Sequence, residues 1–316
     1  MSRGSGLVGL SILMVSYNAA DHLGATLRSL QGAAAPSDPH EVLVTDNGSA
    51  DDAADVAEDL LGTGAVERLN RNTGFAFAVN RTAERAKGDY FLLLNPDACP
   101  RPGSIDAALA LLRARPQTGI VGGRCVTPDG QVDPRSCFGR ITAWSLTSGM
   151  LGLSSVFRGS ALFDPESLGD WQRDDDRPVD VVSGGFLLVS RETWERLGGF
   201  DETYRIYGED QDLCLRAAAA GLQPRIAPSA EFEHAVGASS ANRANRDVLV
   251  LTGRATVVRQ HLKHKEYGLF AMRTGVALRA LAESVLRKQP RWREVWRRRA
   301  DWSGGWQARA QEMTSL

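Results

Sequence analysis

Tyr90-Phe91-Leu92-Leu93-Leu94-Asn95-Pro96-Asp97 passes from an unbroken apolar run straight into a polar turn. An apolar run without alternation is the pattern of a strand buried on both faces, as in a parallel sheet. Asn-Pro-Asp ends it with residues that favour turns. The same unit recurs along the chain. Upstream, Leu7 to Val15 reads as a buried strand closed by Ser16-Tyr17-Asn18, with a helix over Asp21 to Leu30. Glu41 to Thr45 reads as a second strand ending in Asp46-Asn47-Gly48-Ser49. Ser49 is then the expected cap of a helix over Asp51 to Leu61. A short strand at Val66 to Leu69 leads through Asn72-Thr73-Gly74 into a helix over Phe75 to Lys87. Downstream, a helix over Ser104 to Arg113 stops before Pro116, and Ile120 to Val126 is the next strand, followed by the turn Pro128-Asp129-Gly130.

Strand and helix in alternation predict an α/β fold, a mostly parallel sheet flanked by helices. Ligands in such sheets lie beyond the carboxyl ends of the strands, where the polar motifs here fall. Phe138 to Arg177 is less regular, carries Asp174-Asp175-Asp176, and reads as a surface excursion. Val179 to Val189 returns to strand, broken by Ser183-Gly184-Gly185. Helices are expected over Arg191 to Leu197, over Gly208 to Ala220 with Gly221 as its stop, and over Asn242 to His264, Tyr267 to Leu286 and Arg291 to Arg299. The expected division is a domain over 1–240, with a nucleotide-facing half (1–126) and an acceptor-facing half (127–240), and a helical extension over 241–316 with a basic tail.

The 316 residues are 43% hydrophobic and 24% charged, with a net charge of −1. That gives no global case for nucleic-acid binding. Cys99, Cys125, Cys137 and Cys214 form no Cys-x-x-Cys pair, so reduced thiols in a cytosol are expected. No run has the pattern of a signal peptide or the length of a membrane span.

Chemistry concentrates at the strand ends. Asp97 offers a hard oxygen ligand for a divalent cation; alone it would equally be a turn carboxylate. Asp46-Asn47 could read the edge of a base, or form an ordinary Asx turn. Asn72-Thr73-Gly74, with Asn80 beyond, opens a helix whose amides could face a phosphate, or is a capped helix start. Gly184-Gly185 marks a close backbone approach or a bulge. Glu209-Asp210-Gln211-Asp212 sets three carboxylates at a helix start, which suits the helix dipole or a general base for a hydroxyl nucleophile. His234 is a candidate second metal ligand only if the fold brings it to Asp97.

The order of these motifs is more specific than any one of them. Val15-Ser16-Tyr17-Asn18, Asp46-Asn47-Gly48-Ser49, Asn72-Thr73-Gly74 with Asn80, Leu94-Asn95-Pro96-Asp97, Gly184-Gly185, Gly198-Gly199-Phe200-Asp201-Glu202 and Glu209-Asp210-Gln211-Asp212 together resemble bacterial family 2 glycosyltransferases, in particular the rhamnosyltransferase branch. The resemblance spans roughly residues 8 to 265. It implies a GT-A fold and inversion of the sugar. The implied donor is a nucleotide-diphosphate sugar, dTDP-L-rhamnose before the others, and the implied acceptor a cell-envelope or polyprenyl-linked saccharide. It places the base on Asp210, with Glu209 and Asp212 in support. Mg²⁺ or Mn²⁺ falls to Asp97 and His234, and donor contacts to Ser16, Tyr17, Asn18, Asp46, Asn47, Asn72, Gly74, Asn80, Asn95, Gly184 and Gly185. The family's Asp-x-Asp reads Asn95-Pro96-Asp97 here, one carboxylate short.

Two rivals stay open at this stage. One is a UDP-sugar transferase of the same family, the other a degenerate protein that holds a nucleotide sugar without turnover. A nucleotidyltransferase would need a glycine-rich basic loop after the first strand, which Ser16-Tyr17-Asn18 is not. In the tail, Arg287, Lys288, Arg291, Arg293, Arg297, Arg298 and Arg299 interleave with Trp292, Trp296 and Trp302. That composition suits peripheral contact with the inner face of an anionic membrane, and equally a solvated helix or a homo-oligomer contact.

Overall fold

The computed structural model describes residues 8–234, 243–286 and 290–314. Leu7, Asn242, Arg287 and Lys288 lie outside the described residues. The strands are β1 (Leu10–Ser16), β2 (His40–Asp46), β3 (Val66–Arg68), β4 (Tyr90–Leu94), β5 (Ala98–Pro100), β6 (Ile120–Val126), β7 (Cys137–Phe138), β8 (Val181–Val182), β9 (Phe186–Ser190) and β10 (Arg225–His234). The helices are α1 (Ala20–Gln31), α2 (Ala53–Leu61), α3 (Phe75–Arg85), α4 (Ser104–Ala114), α5 (Ala143–Met150), α6 (Leu153–Val156), α7 (Arg191–Leu197), α8 (Glu209–Ala219), α9 (Arg243–His261), α10 (Lys265–Val285), α11 (Arg291–Arg297), α12 (Arg299–Ser303) and α13 (Gly305–Thr314).

One sheet runs in the order β3-β2-β1-β4-β9-β6-β10-β5. β1 pairs in parallel with β2 and β4, β2 with β3, and β6 with β10. The apolar runs form its centre: every residue of β1 is buried. Each face carries its own core. Leu10, Ile12 and Met14 meet Leu23 and Leu27 of α1 and Ile105 of α4, while Leu13 and Val15 meet Val79 of α3, Trp194 of α7 and Leu213 of α8. Burying such a side chain contributes about 1.5–3 kcal/mol, so flipping β1 by one residue would exchange both cores at once. A third core belongs to the extension, where Val248, Val258, Leu269, Trp302 and Trp306 pack with Tyr204 and Leu146.

The structure departs from expectation in three places. Ser49 does not cap α2; its hydroxyl donates to Asp46 Oδ1 and accepts from the Asn18 amide. The nearby buried carboxylate takes the hydroxyl before the helix can use it. Val179 to Val189 is two strands: β8 joins β7 in a small separate sheet, and β9 runs antiparallel between β4 and β6. The middle segment is more than an excursion, since α5 packs on α10 and Glu166 forms a bidentate ion pair with Arg254 of α9 at 2.7 and 2.9 Å. Of the tail's tryptophans, Trp302 is fully buried, while Trp292 and Trp296 lie half-buried against the extension core. Arg291 and Arg298 pair with Asp247 and Asp301. Large aromatic surface is worth more buried in a core than left in water.

Candidate active site

The carboxyl ends of β1, β2 and β4 meet the amino end of β9 at one rim. Because β9 runs against β4, its first residues, and not its last, arrive there. The Asn95 amide donates to the Gly185 carbonyl at 3.2 Å. A Cβ on Gly185 would stand 3.7 Å from the His234 ring and 3.8 Å from Asn95 Nδ2. His234, carried across the sheet at the end of β10, lies with Nε2 3.0 Å from Asp97 Oδ1, both side chains partly exposed. On the other side of the glycines, the Gly184 amide donates to Asp210 Oδ2 at 3.1 Å. A continuous ridge therefore runs from Asp97 and His234 over Gly185 and Gly184 to Asp210.

Glu209 and Asp210 open α8 side by side, Glu209 buried and Asp210 half-buried. Burial pushes both carboxyls up, and Asp210 raises Glu209 further by like-charge repulsion. The two are not equivalent. Asp210 accepts from the amides of Gly184 and of Gln211, the latter at 2.7 Å. Glu209 Oε2 has no hydrogen-bond partner among the described residues. Amide donors stabilise the ionised form, which makes Asp210 the better placed of the two to carry a negative charge.

The remaining candidates divide into those that face the cleft and those spent on scaffolding. Tyr17 is exposed, Asn18 takes a left-handed conformation (φ 51°), and Ser16 is buried with its hydroxyl unpartnered among the described residues. Asn18 Oδ1 caps the Ala50 amide at 2.8 Å. Asp46 is buried and accepts from Ser49. Asn47 fills its whole hydrogen-bonding capacity within the protein. It accepts from the Thr73 amide and hydroxyl and donates to Gly74 O and Asn72 Oδ1, leaving nothing for a base edge. Asn72 also accepts from the Gly74 amide at 3.0 Å. Gly74, at φ 100°, touches the backbone of Arg205. Asn80 clamps Phe200 from both sides, donating to its carbonyl and accepting from its amide, and reaches Glu202. The side chains of Asn47 and Asn80 thus hold the loops that border the cleft.

Asp212 is paired elsewhere. Its side chain turns away from the ridge into the extension, held by Arg216 Nε at 2.8 Å and His261 Nε2 at 2.7 Å. Sequence reading missed His261 and Arg216. Arg216 follows Asp212 at the i,i+4 spacing that favours an ion pair, a signal that was there to use. Nothing in the sequence ties His261 to Asp212.

No cluster of three or more His, Cys, Asp or Glu side chains suited to a metal occurs among the described residues. Asp97 and His234 alone still suit one. They offer one hard oxygen and one imidazole nitrogen a hydrogen-bond length apart, and a cation of this kind takes its remaining ligands from phosphates and water.

The mostly parallel sheet flanked by helices is a GT-A fold, the fold of its solved glycosyltransferase neighbours. The family model for glycosyl transferase family 2 matches residues 11–146, and one described as the N-terminal domain of galactosyltransferase matches 174–237. The chain is 34% identical over 242 residues to the N-acetylglucosaminyl-diphospho-decaprenol L-rhamnosyltransferase of Mycobacterium tuberculosis, covering 71% of this chain and 75% of that one. It is 24% identical over 231 residues to a rhamnosyltransferase of Escherichia coli K12, covering 71% and 82%. In fold it is similar to a mannosyltransferase of Pyrobaculum calidifontis in complex with GDP-Man and Mn²⁺, at a TM-score of 0.56 and 18% identity over 97% of this chain and 87% of the other. The protein belongs to glycosyltransferase family 2 and is rhamnosyltransferase-like.

Proposed function

We propose that this glycosyltransferase moves L-rhamnose, with inversion, from dTDP-L-rhamnose to a hydroxyl of a polyprenyl-linked saccharide. The ridge from Asp97 and His234 to Asp210 carries this reading. Asp97 and His234 would hold Mg²⁺ or Mn²⁺ where the donor diphosphate departs; the ion, when bound, neutralises charge on the leaving group. Gly184 and Gly185 lack side chains, so the sugar can lie against their backbone. Asp210 stands at the far end of the ridge, facing the anomeric carbon from the side opposite the diphosphate. Its ionised carboxylate takes the proton as the acceptor oxygen bonds to the anomeric carbon and the carbon–diphosphate oxygen bond breaks. Burial supports this, because an aspartate with a raised pKa is a stronger base. Rhamnose is supported by the names of the mycobacterial and E. coli relatives, and the polyprenyl-linked acceptor by the mycobacterial one.

The test is a turnover assay with a short-chain N-acetylglucosaminyl-diphospho-polyprenol as acceptor and dTDP-rhamnose, UDP-glucose, UDP-galactose and GDP-mannose as donors. Turnover from dTDP-rhamnose alone supports the proposal. Turnover from a UDP-sugar instead keeps the mechanism and overturns the donor. Binding of a donor without turnover on any acceptor would mark a degenerate scaffold.

A further inference from the structure

The outward face of α10 is apolar and uncovered. Phe270, Thr274, Ala277, Leu278, Leu281 and Val285 fall within an arc of roughly 100° at the α-helical rotation per residue, and no charged residue interrupts them. Phe270 is 59% exposed, Leu281 62% and Val285 72%. The inner face, through Leu269, Met272 and Val276, packs into the extension core. α5 lies along α10, tied to it by the Thr147–Tyr267 hydrogen bond. The chain beyond α5 exposes Leu151, Val156 and Phe157 as well. Single exposed apolar residues are ordinary; a stripe along a whole helix beside a second exposed cluster is not.

Charge says what this surface meets. Residues 243–316 carry sixteen Lys and Arg against six Asp and Glu, a net +10, in a chain whose overall charge is −1. Arg273 borders the stripe, and Arg158 stands exposed beside Val156 and Phe157. Among the described residues Arg158, Lys263, Lys265 and Arg297 have no carboxylate partner. A second copy docking through the same face would bring Arg158 and Arg273 against another net-positive extension, since a two-fold contact is self-complementary. An anionic lipid surface satisfies both the apolar stripe and the surrounding charge.

We propose that the outer face of α10, with the exposed apolar residues after α5, docks the protein onto an anionic bilayer. The apolar side chains enter the boundary between head groups and acyl chains, and the Lys and Arg of the extension lie over the head groups. The proposal moves the membrane contact from the tail, whose tryptophans pack on the extension core, to a helix whose leucines are outside. It does not rest on the identity of the donor or acceptor, and its test uses neither.

The test is flotation of the full chain with phosphatidylcholine vesicles, with and without about one-third phosphatidylglycerol. The expected result is flotation with the anionic vesicles only, weakened by salt. The bound fraction should fall by about tenfold or more in L281E/V285E, with an unchanged thermal melt. F270E/L278E is the second variant should the first not fold. Three results would overturn the proposal: wild-type protein that stays behind with anionic vesicles, a folded variant that floats as wild type does, or a wild-type dimer that the variant converts to monomer.

Discussion

Gly253 of α9 lies against the carbonyl of Tyr207, so close that a Cβ there would overlap the oxygen. Tyr207 and Gly208 both sit at positive φ, 64° and 101°, directly ahead of the helix that carries Glu209 and Asp210. The extension therefore sets the starting point of α8. G253A should cost about 1–3 kcal/mol through overpacking and should lower kcat as the loop shifts, while donor affinity at the distant Asp97 end changes little. Denaturant unfolding and steady-state kinetics would check both halves.

D210N keeps the shape of the side chain and removes the base. Turnover should fall by about 10²–10⁴-fold, with little change in donor affinity. Kinetics beside calorimetric titration of the donor would show it, and near-normal turnover would remove Asp210 from its role.

Loss of one of two metal-holding side chains should act at the other end of the ridge. H234A and D97A should each weaken metal-dependent donor binding by about tenfold or more, and chelation of the metal should do the same to wild type. Thermal stabilisation by donor, with and without Mn²⁺, reads this directly.

Acid should silence the enzyme earlier than an ordinary aspartate would suggest. The base must be ionised, and burial raises its pKa. Activity is then present above that raised pKa and lost as pH falls through it, so the acid limb of kcat/KM lies above the usual aspartate range. An acid limb at or below that range would contradict the assignment.

Glu209 titrates with the opposite consequence for stability. Its folded pKa is raised above the unfolded value, so its stabilising contribution is full below the unfolded pKa and fades as pH rises toward the folded one. E209Q, which cannot ionise, should narrow the drop in melting temperature between acidic and mildly alkaline buffer relative to wild type. Melting curves across that range decide it.

The architecture was largely legible because short apolar runs bounded by turn residues, set between helical patterns, read as buried strands. Ile120–Val126 and Arg191–Leu197 fall where the sequence puts them. The antiparallel direction of β9 was not legible, since direction follows from the path of the chain and leaves no mark on a short apolar run. The ridge was legible as an order of motifs, but not as geometry. Asn47, Asn80 and Asp212 show why. A polar side chain at a strand end announces that hydrogen bonds are made and stays silent about the partner, and here the partners are loops and a distant helix. The tail stayed ambiguous for a related reason, because tryptophan among arginines has the same composition whether it faces lipid or a core.

The direction of β9 reaches beyond the chemistry. β6 and β9 are adjacent antiparallel neighbours, Ile120 opposite Val189 and Gly122 opposite Leu187, so the end of one and the start of the other lie side by side at the rim. Everything between them, residues 127–185, is topologically an oversized hairpin loop closed at its base by paired strands. Closing a longer or shorter loop across such a base changes the entropy by only about 0.6 kcal/mol per doubling of length. Length within this segment is therefore cheap to change, whereas its last residues, Gly184 and Gly185, belong to the ridge and its Glu166 is held by Arg254 of α9.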